Sequence, residues 1–255
     1  MKRLIHNKYW KIFVCSAMQQ WHNRLRLLAK IVLYLFVVYL YYQIVTSTGA
    51  GPERVIYIAM TELMILSFAP VTFQIARDIE SGCIDYFLVR PVNYIGYTLI
   101  GALGESLVKY IVLGSCCFVW VGFLTNTVPR IPEFLFGLLL GLVSLLLYLL
   151  ITIFIGISSF WFNDVKDLFY LNLTACFCFG GLIVPLEFYS GIIQKISLYT
   201  PYPLILWVPA HLVASGSAHI PFIFVSTMLW LTVLVFLIRM IYRTFLSVYL
   251  RKGGR

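Results

Sequence analysis

The 255-residue chain is 61% hydrophobic and only 11% charged, and its formal net charge is +9. A soluble globular domain carries about 25% charged residues, so this composition excludes an ordinary soluble protein. Apolar runs of about 20 residues recur along the chain and predict an all-α polytopic membrane protein, whereas a transmembrane β-barrel would show alternating segments of about 10 residues.

Residues 1–26 are predicted to form an interfacial helix that lies on the membrane surface. This segment contains no acidic residue, and its basic residues alternate at helical spacing with apolar side chains such as Trp10, Phe13 and Trp21. A basic amphipathic pattern with aromatic residues is typical of helices that bind the headgroup region of a bilayer. The basic region is too long for a convincing signal peptide.

Six apolar runs then predict six transmembrane helices, at about residues 27–46, 55–73, 99–124, 134–162, 168–185 and 222–242. Residues 186–221 are interrupted by Pro201, Pro203 and Pro209, which breaks this segment too often for one span. We expect external short helices or a re-entrant hairpin there, because non-helical backbone at membrane depth must be buried in protein or line a cavity. The chain is predicted to be a single transmembrane domain, 1–255.

Residues 74–93, between the second and third runs, concentrate charge in a chain that otherwise has little. The charged residues are Arg77, Asp78, Glu80, Asp85 and Arg90, and the apolar residues Ile75, Ile79, Ile84, Phe87 and Leu88 recur at helical spacing. Gly82 predicts a kink, and Arg90-Pro91 predicts a helix end because proline disfavours helix at the preceding residue. The pattern predicts a short amphipathic helix at the membrane surface. Periodicity alone is equally compatible with a solvated connector that only reverses the chain.

The distribution of basic residues predicts the orientation in the membrane. With six spans, both termini and the connector 74–93 lie on the same side of the membrane. That side holds fifteen of the nineteen Lys and Arg residues. The opposite side holds Arg54, Arg130 and Lys195, and Lys109 lies within the third run. Because cytoplasmic loops are enriched in Lys and Arg, both termini and the connector are predicted to be cytoplasmic. Topology thus accounts for the positive charge, and no nucleic-acid partner is expected.

The connector resembles the signature of the six-span permease subunits of type-2 ATP-binding-cassette (ABC) exporters, in the stretch Ile-Ala-Arg-Asp-Ile-Glu-Ser-Gly-Cys-Ile-Asp-Tyr-Phe-Leu-Val-Arg-Pro-Val. The layout is also similar to that family, which has an interfacial entry helix, six spans and a broken external segment between the last two. The resemblance implies that 74–93 forms a coupling helix that docks a separate ATPase subunit. The residues it assigns to ATPase docking are Ile75, Arg77, Asp78, Ile79, Glu80, Gly82, Ile84, Asp85, Phe87, Leu88, Arg90 and Pro91.

The resemblance further implies a second permease chain, of the same or a homologous sequence, and a place in the lipid bilayer of the bacterial inner membrane. ATP and Mg²⁺ would bind to the partner ATPase, and no cofactor is expected on this chain. Pro185 and Glu187 are candidates for an external gate, because the stretch that begins at Pro185 resembles the family's external segment. The expected function is ATP-driven export; an ATP-independent channel or lipid scramblase is the alternative, and the substrate is not identified.

The sequence contains no motif that predicts catalysis by this chain. The phosphate-binding pattern Gly-x-x-x-x-Gly-Lys-Ser/Thr is absent, as are His-Glu-x-x-His and Gly-x-Ser-x-Gly. No cysteine falls in a predicted external loop, so no disulfide framework is expected. The pair Cys176-Phe-Cys178 lacks the spacing and the accompanying histidines of a zinc site, so no metal site is expected. The histidines, which fall in predicted surface segments where solvation is usual, are His6, His22, His211 and His219.

Glu62, Glu105 and Lys109 lie inside the predicted spans and away from their ends, and a charge at the bilayer centre costs roughly 2.5–3.5 kcal/mol. Glu105 and Lys109 are separated by four residues in the third span, so they can pair along one helix. Alternatively, both face a polar cavity. Glu62 has no local partner in the sequence, and it is expected to bond across a subunit interface, to contact substrate or to stay protonated.

Overall fold

The computed structural model describes residues 2–89, 93–126, 130–162, 164–182, 184–216 and 220–251, and the fold in these ranges is entirely helical. The α-helices are α1 (Lys2–His22), α2 (Arg24–Ser47), α3 (Pro52–Ser67), α4 (Val71–Glu80), α5 (Ile84–Val89), α6 (Tyr94–Thr125), α7 (Ile131–Ser158), α8 (Lys166–Phe179), α9 (Gly191–Tyr199), α10 (Tyr202–Ile205), α11 (Trp207–Ser215) and α12 (Ile220–Arg251). A 3₁₀ helix at Leu186–Phe188 lies between α8 and α9. The prediction of an all-α chain is confirmed over the described ranges.

Five segments of the described chain are long and apolar enough to cross a bilayer: Arg24–Ser47, Pro52–Glu80, Tyr94–Thr125, Ile131–Ser158 and Pro221–Tyr249. They correspond to the first four predicted spans and the last one. The predicted fifth span, 168–185, differs because α8 has only 14 residues and ends at Phe179. A helix of that length covers about 21 Å, short of a hydrocarbon core of about 30 Å. Gly181, whose φ is +71°, follows α8 in a turn.

The second of these segments is interrupted near its C-terminal end. α3 ends at Ser67 and α4 begins at Val71, with Pro70 between them. Proline lacks a backbone N–H and clashes with the preceding turn, so a continuous helix cannot pass through this position undistorted. The two parts have different neighbours: α3 packs against α6 and α11, whereas α4 packs against α7.

The core lies where α3, α6, α7 and α11 meet, and it is filled by fully buried side chains such as Met60, Leu63, Leu113 and Leu147. The long helices α2 and α12 are peripheral and expose many large apolar residues, including Phe36 on α2 and Phe236 on α12. Apolar surface of this extent on a membrane chain suits contact with lipid tails or with a second chain.

The N-terminal helix α1 packs along the first half of α6. Glycines on α6 allow the close approach: a Cβ placed on Gly104 would lie 2.6 Å from the carbonyl oxygen of Phe13. Trp10 and Trp21 on α1 are exposed. The predicted interfacial helix therefore has one face held by protein, while its position at the bilayer surface stays a prediction.

The segment after α8 is broken into short helices, as its prolines predict. α11 is not exposed as a helix on the external surface would be. Its residues Ala210, Leu212 and Val213 are buried, and the helix packs against both α3 and α7. Ser144 on α7 also donates a hydrogen bond of 2.7 Å to the carbonyl of Leu204 in α10. The segment 186–216 is therefore partly embedded in the helix bundle.

Candidate functional site: the α4–α5 elbow and the polar helix break

The charged connector folds as two helices joined by a tight turn, which we call the α4–α5 elbow (residues 71–89). Gly82 ends α4 with a φ of +71° and donates a backbone hydrogen bond to the carbonyl of Ile79, and Asp85 then donates to the Gly82 carbonyl. This left-handed conformation favours glycine, because a Cβ would meet the following carbonyl oxygen. The kink predicted at Gly82 is therefore present.

The apolar residues expected to anchor an ATPase are instead buried within this chain. Ile75, Ile79 and Ile84 are at most 8% exposed. Ile75 packs so closely on α7 that a Cβ on Gly156 would lie 2.9 Å from its side chain. The physical reason is that α4 continues the second span, so its apolar stripe is used to pack against α7. These three side chains fasten the elbow to the rest of the chain and present little surface to a partner, and their assignment to ATPase docking stays a prediction.

Two further residues assigned to docking make contacts inside the chain. The ring of Phe87 is half-buried and lies 5.1 Å from the ring of Tyr94 and 4.8 Å from that of Tyr97. Asp78 accepts a hydrogen bond of 2.8 Å from the Tyr94 hydroxyl. Together these contacts tie both arms of the elbow to the beginning of α6.

The part of the elbow that remains accessible is a polar rim, which consists of Gln74, Arg77, Glu80, Ser81, Cys83 and Tyr86. Tyr86 is 70% exposed and is the large aromatic residue of this rim. Tyr86 is not among the residues predicted for docking, although its position two residues after Ile84 places it off the buried stripe. Asp85 is half-buried and Leu88 lies in α5, whereas Arg90 and Pro91 fall outside the described residues.

A polar cluster surrounds the interruption between α3 and α4. The Nζ of Lys109 lies 2.9 Å from Oε1 of Glu105, so the predicted pair along α6 is formed. The same Nζ donates to the carbonyl of Phe68 at 3.1 Å, and Nζ of Lys30 donates to the carbonyl of Leu66 at 2.6 Å. Lys109 is only 1% exposed, while Glu105 is more open at 36%. Lys30 is one of the fifteen basic residues predicted to lie on the cytoplasmic side, and the sequence does not predict its bond to Leu66.

Glu62 lies apart from this cluster on α3 and is half-buried. Within the described part of the chain it forms no hydrogen bond or ion pair, so its three predicted alternatives stay predictions.

Residues 25–253 match the model of the family described as ABC-2 family transporter protein. The match covers the elbow, the helix break and the embedded segment together. The chain belongs to the ABC-2 transporter family. It is therefore an integral membrane permease of a transporter, and such permeases in general pair with one another and work with an ABC ATPase. No curated protein matches the chain.

The embedded segment of this ABC-2 permease contains a second polar contact. Glu187, in the 3₁₀ helix that follows Pro185, places Oε1 at 2.7 Å from Nε2 of His211 on α11. The ring of Trp207 lies 4.7 Å from the His211 ring. His211 is therefore bonded to a carboxylate, whereas sequence analysis expected a solvated side chain. Glu187, Trp207 and His211 line a cavity of about 440 Å³ whose other walls are mostly apolar.

Proposed function

We propose that this ABC-2 permease is one half of an ATP-driven exporter and that a separate ATPase subunit docks on the polar rim of the α4–α5 elbow. The observation that carries the proposal is the combination of an exposed rim with a buried underside. Arg77, Glu80 and Tyr86 are accessible, while Ile75 and Ile84 fasten the same element to the core. A partner bound to the rim would thus act directly on the helix bundle.

The chemistry of the rim suits a protein partner. It offers both signs of charge and one large amphipathic ring, and tyrosine and arginine are enriched among the residues that dominate binding energy at interfaces. The half-buried Asp78 and Phe87 contribute by holding the rim in place. In this proposal ATP and Mg²⁺ bind to the partner, and nucleotide-driven closure of two ATPase subunits shifts a two-state arrangement of the helices.

The proposal includes a pair of permease chains, identical or homologous, around a shared pathway in the bacterial inner membrane. Both termini and the elbow lie in the cytoplasm, as the fifteen-to-three distribution of basic residues between the two sides supports. The remaining crossing, the fifth in chain order, would be made by α8 together with the segment that leads to the 3₁₀ helix. Pro185 and Glu187, at the end of that crossing, remain candidates for an external gate.

The test is a Tyr86→Ala variant of the tagged permease, purified from its native cells. Truncation of a dominant interface residue commonly costs more than about 1 kcal/mol. We therefore expect about a fivefold or greater loss of co-purified ATPase subunit and of ATP hydrolysis in the purified complex. Tyr199→Ala is the matched control, because Tyr199 on α9 is 80% exposed but lies outside the elbow.

Glu80→Lys tests the charged part of the rim and should reduce ATPase association more strongly at low salt, since exposed charges mainly tune association. Normal ATPase co-purification in both Tyr86→Ala and Glu80→Lys would remove the elbow as the docking element. Transport that proceeds without ATP or an ATPase would instead support the channel or scramblase alternative.

A further inference from the structure

We propose that Lys30, Lys109 and Glu105 form a clamp on the break between α3 and α4 and act as positioning residues for the α4–α5 elbow. The inference rests on the proposed coupling role of that elbow. It adds that these three residues keep α4 in a fixed orientation relative to α3 where the helix is interrupted. From the sequence, Glu105 and Lys109 were expected either to pair with each other along α6 or to face a polar cavity.

The break leaves backbone carbonyls without their helical partners. In a continuous helix the carbonyl of Leu66 would accept from the N–H of residue 70, but that residue is proline and has no N–H. Lys30 fills this vacant donor position with its ammonium group, 2.6 Å from the carbonyl oxygen. The lysine thus satisfies a carbonyl that the end of α3, with an extended Phe68 and a proline at position 70, leaves without a backbone donor.

Lys109 acts in the same way two residues later. Phe68 has left the helical conformation, with ψ at 141°, so its carbonyl points away from the α3 ladder and accepts from Lys109 at 3.1 Å. Unsatisfied carbonyls at a helix C-terminus carry partial negative charge, which favours cations there. Two ammonium groups from two different helices, α2 and α6, therefore hold the end of α3.

Glu105 lowers the free-energy cost of burying the Lys109 ammonium group. Lys109 is almost fully buried, and a buried charge without a partner is strongly destabilising. Glu105, one turn earlier on α6, supplies the counter-charge at 2.9 Å and is itself partly exposed. This arrangement explains why the chain has a lysine at this depth, and it gives the pair a role other than contact with substrate.

Beyond the break, α4 is fixed to α7. The hydroxyl of Thr72 donates to the carbonyl of Thr152 at 3.1 Å, and the ring of Phe68 stacks on that of Tyr148 with centroids 3.7 Å apart. Ile75 then packs on Gly156. The interruption is therefore held on both sides, so that a displacement of the elbow is transmitted to α3 and α7 and is not absorbed by bending at Pro70.

The clamp is tested by distance measurements across the break in the full-length permease in lipid nanodiscs, without any ATPase. Spin labels at Glu53→Cys on α3 and Gln74→Cys on α4, both exposed positions, are introduced after the native cysteines are replaced. Double electron–electron resonance should give one narrow distance distribution for the otherwise unchanged chain. Hydrogen bonds to charged groups stabilise enough that Lys109→Met should shift the ratio of bent to clamped conformers by about tenfold or more.

Three further variants complete the test. Lys30→Met should also broaden the distribution, and Glu105→Gln combined with Lys109→Met should do so without stranding a buried charge, which covers the case in which Lys109→Met alone fails to fold. Lys195→Met is the control, because Lys195 is an exposed lysine on α9 outside the cluster. Unchanged distributions in both Lys30→Met and the double variant would overturn the proposal.

A rescue experiment identifies the mechanism. Pro70→Ala allows the helix to continue through residues 68–70, where the N–H of residue 70 can bond the Leu66 carbonyl, so Lys30→Met should broaden the distribution much less in that background than in the unmodified chain. An equal effect in both backgrounds would contradict the replacement of the missing donor by Lys30. Because no ATPase is present, these results are separate from the docking test: a failed clamp with normal ATPase binding rejects only this inference.

Discussion

Replacement of Gly82 tests whether ATPase docking and transport depend on the tight turn between α4 and α5. Its φ of +71° is a conformation that costs a residue with a side chain about 1–2 kcal/mol, and a β-branched residue more. In Gly82→Val the chain must either keep the turn at that cost or open it, which moves α5 and Tyr86 away from α4. Because the whole polar rim is only a few residues wide, we expect a loss of ATPase association and of transport in an inserted permease.

Gly49→Val is the matched control for this strain. Gly49 has a φ of +68°, nearly the same backbone conformation, and no atom lies within 4 Å of the position of its Cβ. Both variants should lower thermal stability by a similar amount, but only Gly82→Val should reduce ATPase co-purification and nucleotide hydrolysis by the complex. Equal co-purification and transport in the two variants would refute the reasoning.

Two other predictions concern packing and topology. Gly156→Ala should destabilise the permease by about 1–3 kcal/mol through overpacking against Ile75, measured by thermal unfolding, and combining it with Ile75→Ala should cost less than the sum of the two single losses. An impermeant thiol reagent should label Ser190→Cys from outside but not Asp164→Cys in a cysteine-free background; labelling of both from one side would show that α8 does not lead across the membrane.

The long helices could be predicted from the sequence because a bilayer imposes one strong rule: about 20 consecutive apolar residues. The four spans predicted from 27–46, 55–73, 99–124 and 134–162 all correspond to helices in the structure. For 168–185 the same rule predicted a helix that is too long. The apolar residues continue after Phe179, but α8 ends there, before Gly181 with its positive φ. Hydropathy measures the environment of a segment and not its backbone conformation.

The site was predictable in location but not in the direction of its side chains. Helical spacing identified the stripe of Ile75, Ile79 and Ile84, yet periodicity cannot tell whether a stripe faces the chain itself or a partner. The same limit applies to Lys30, whose bond to a carbonyl 36 residues away depends on tertiary packing. The pair of Glu105 and Lys109 was predictable because it is local, one turn apart on a single helix.

The burial of the elbow also constrains how coupling can work in the proposed exporter. Full burial of an isoleucine stabilises by roughly 1.5–3 kcal/mol, so detaching the elbow, which buries Ile75 and Ile79 on α4 and Ile84 on α5, would cost roughly 5–9 kcal/mol. That is comparable to the whole stability of many domains. An ATPase that pulls on the rim therefore moves α4 together with α7, which contacts α12 as well as α11. Coupling then occurs by a rigid displacement of packed helices, in which the elbow does not move separately from α7.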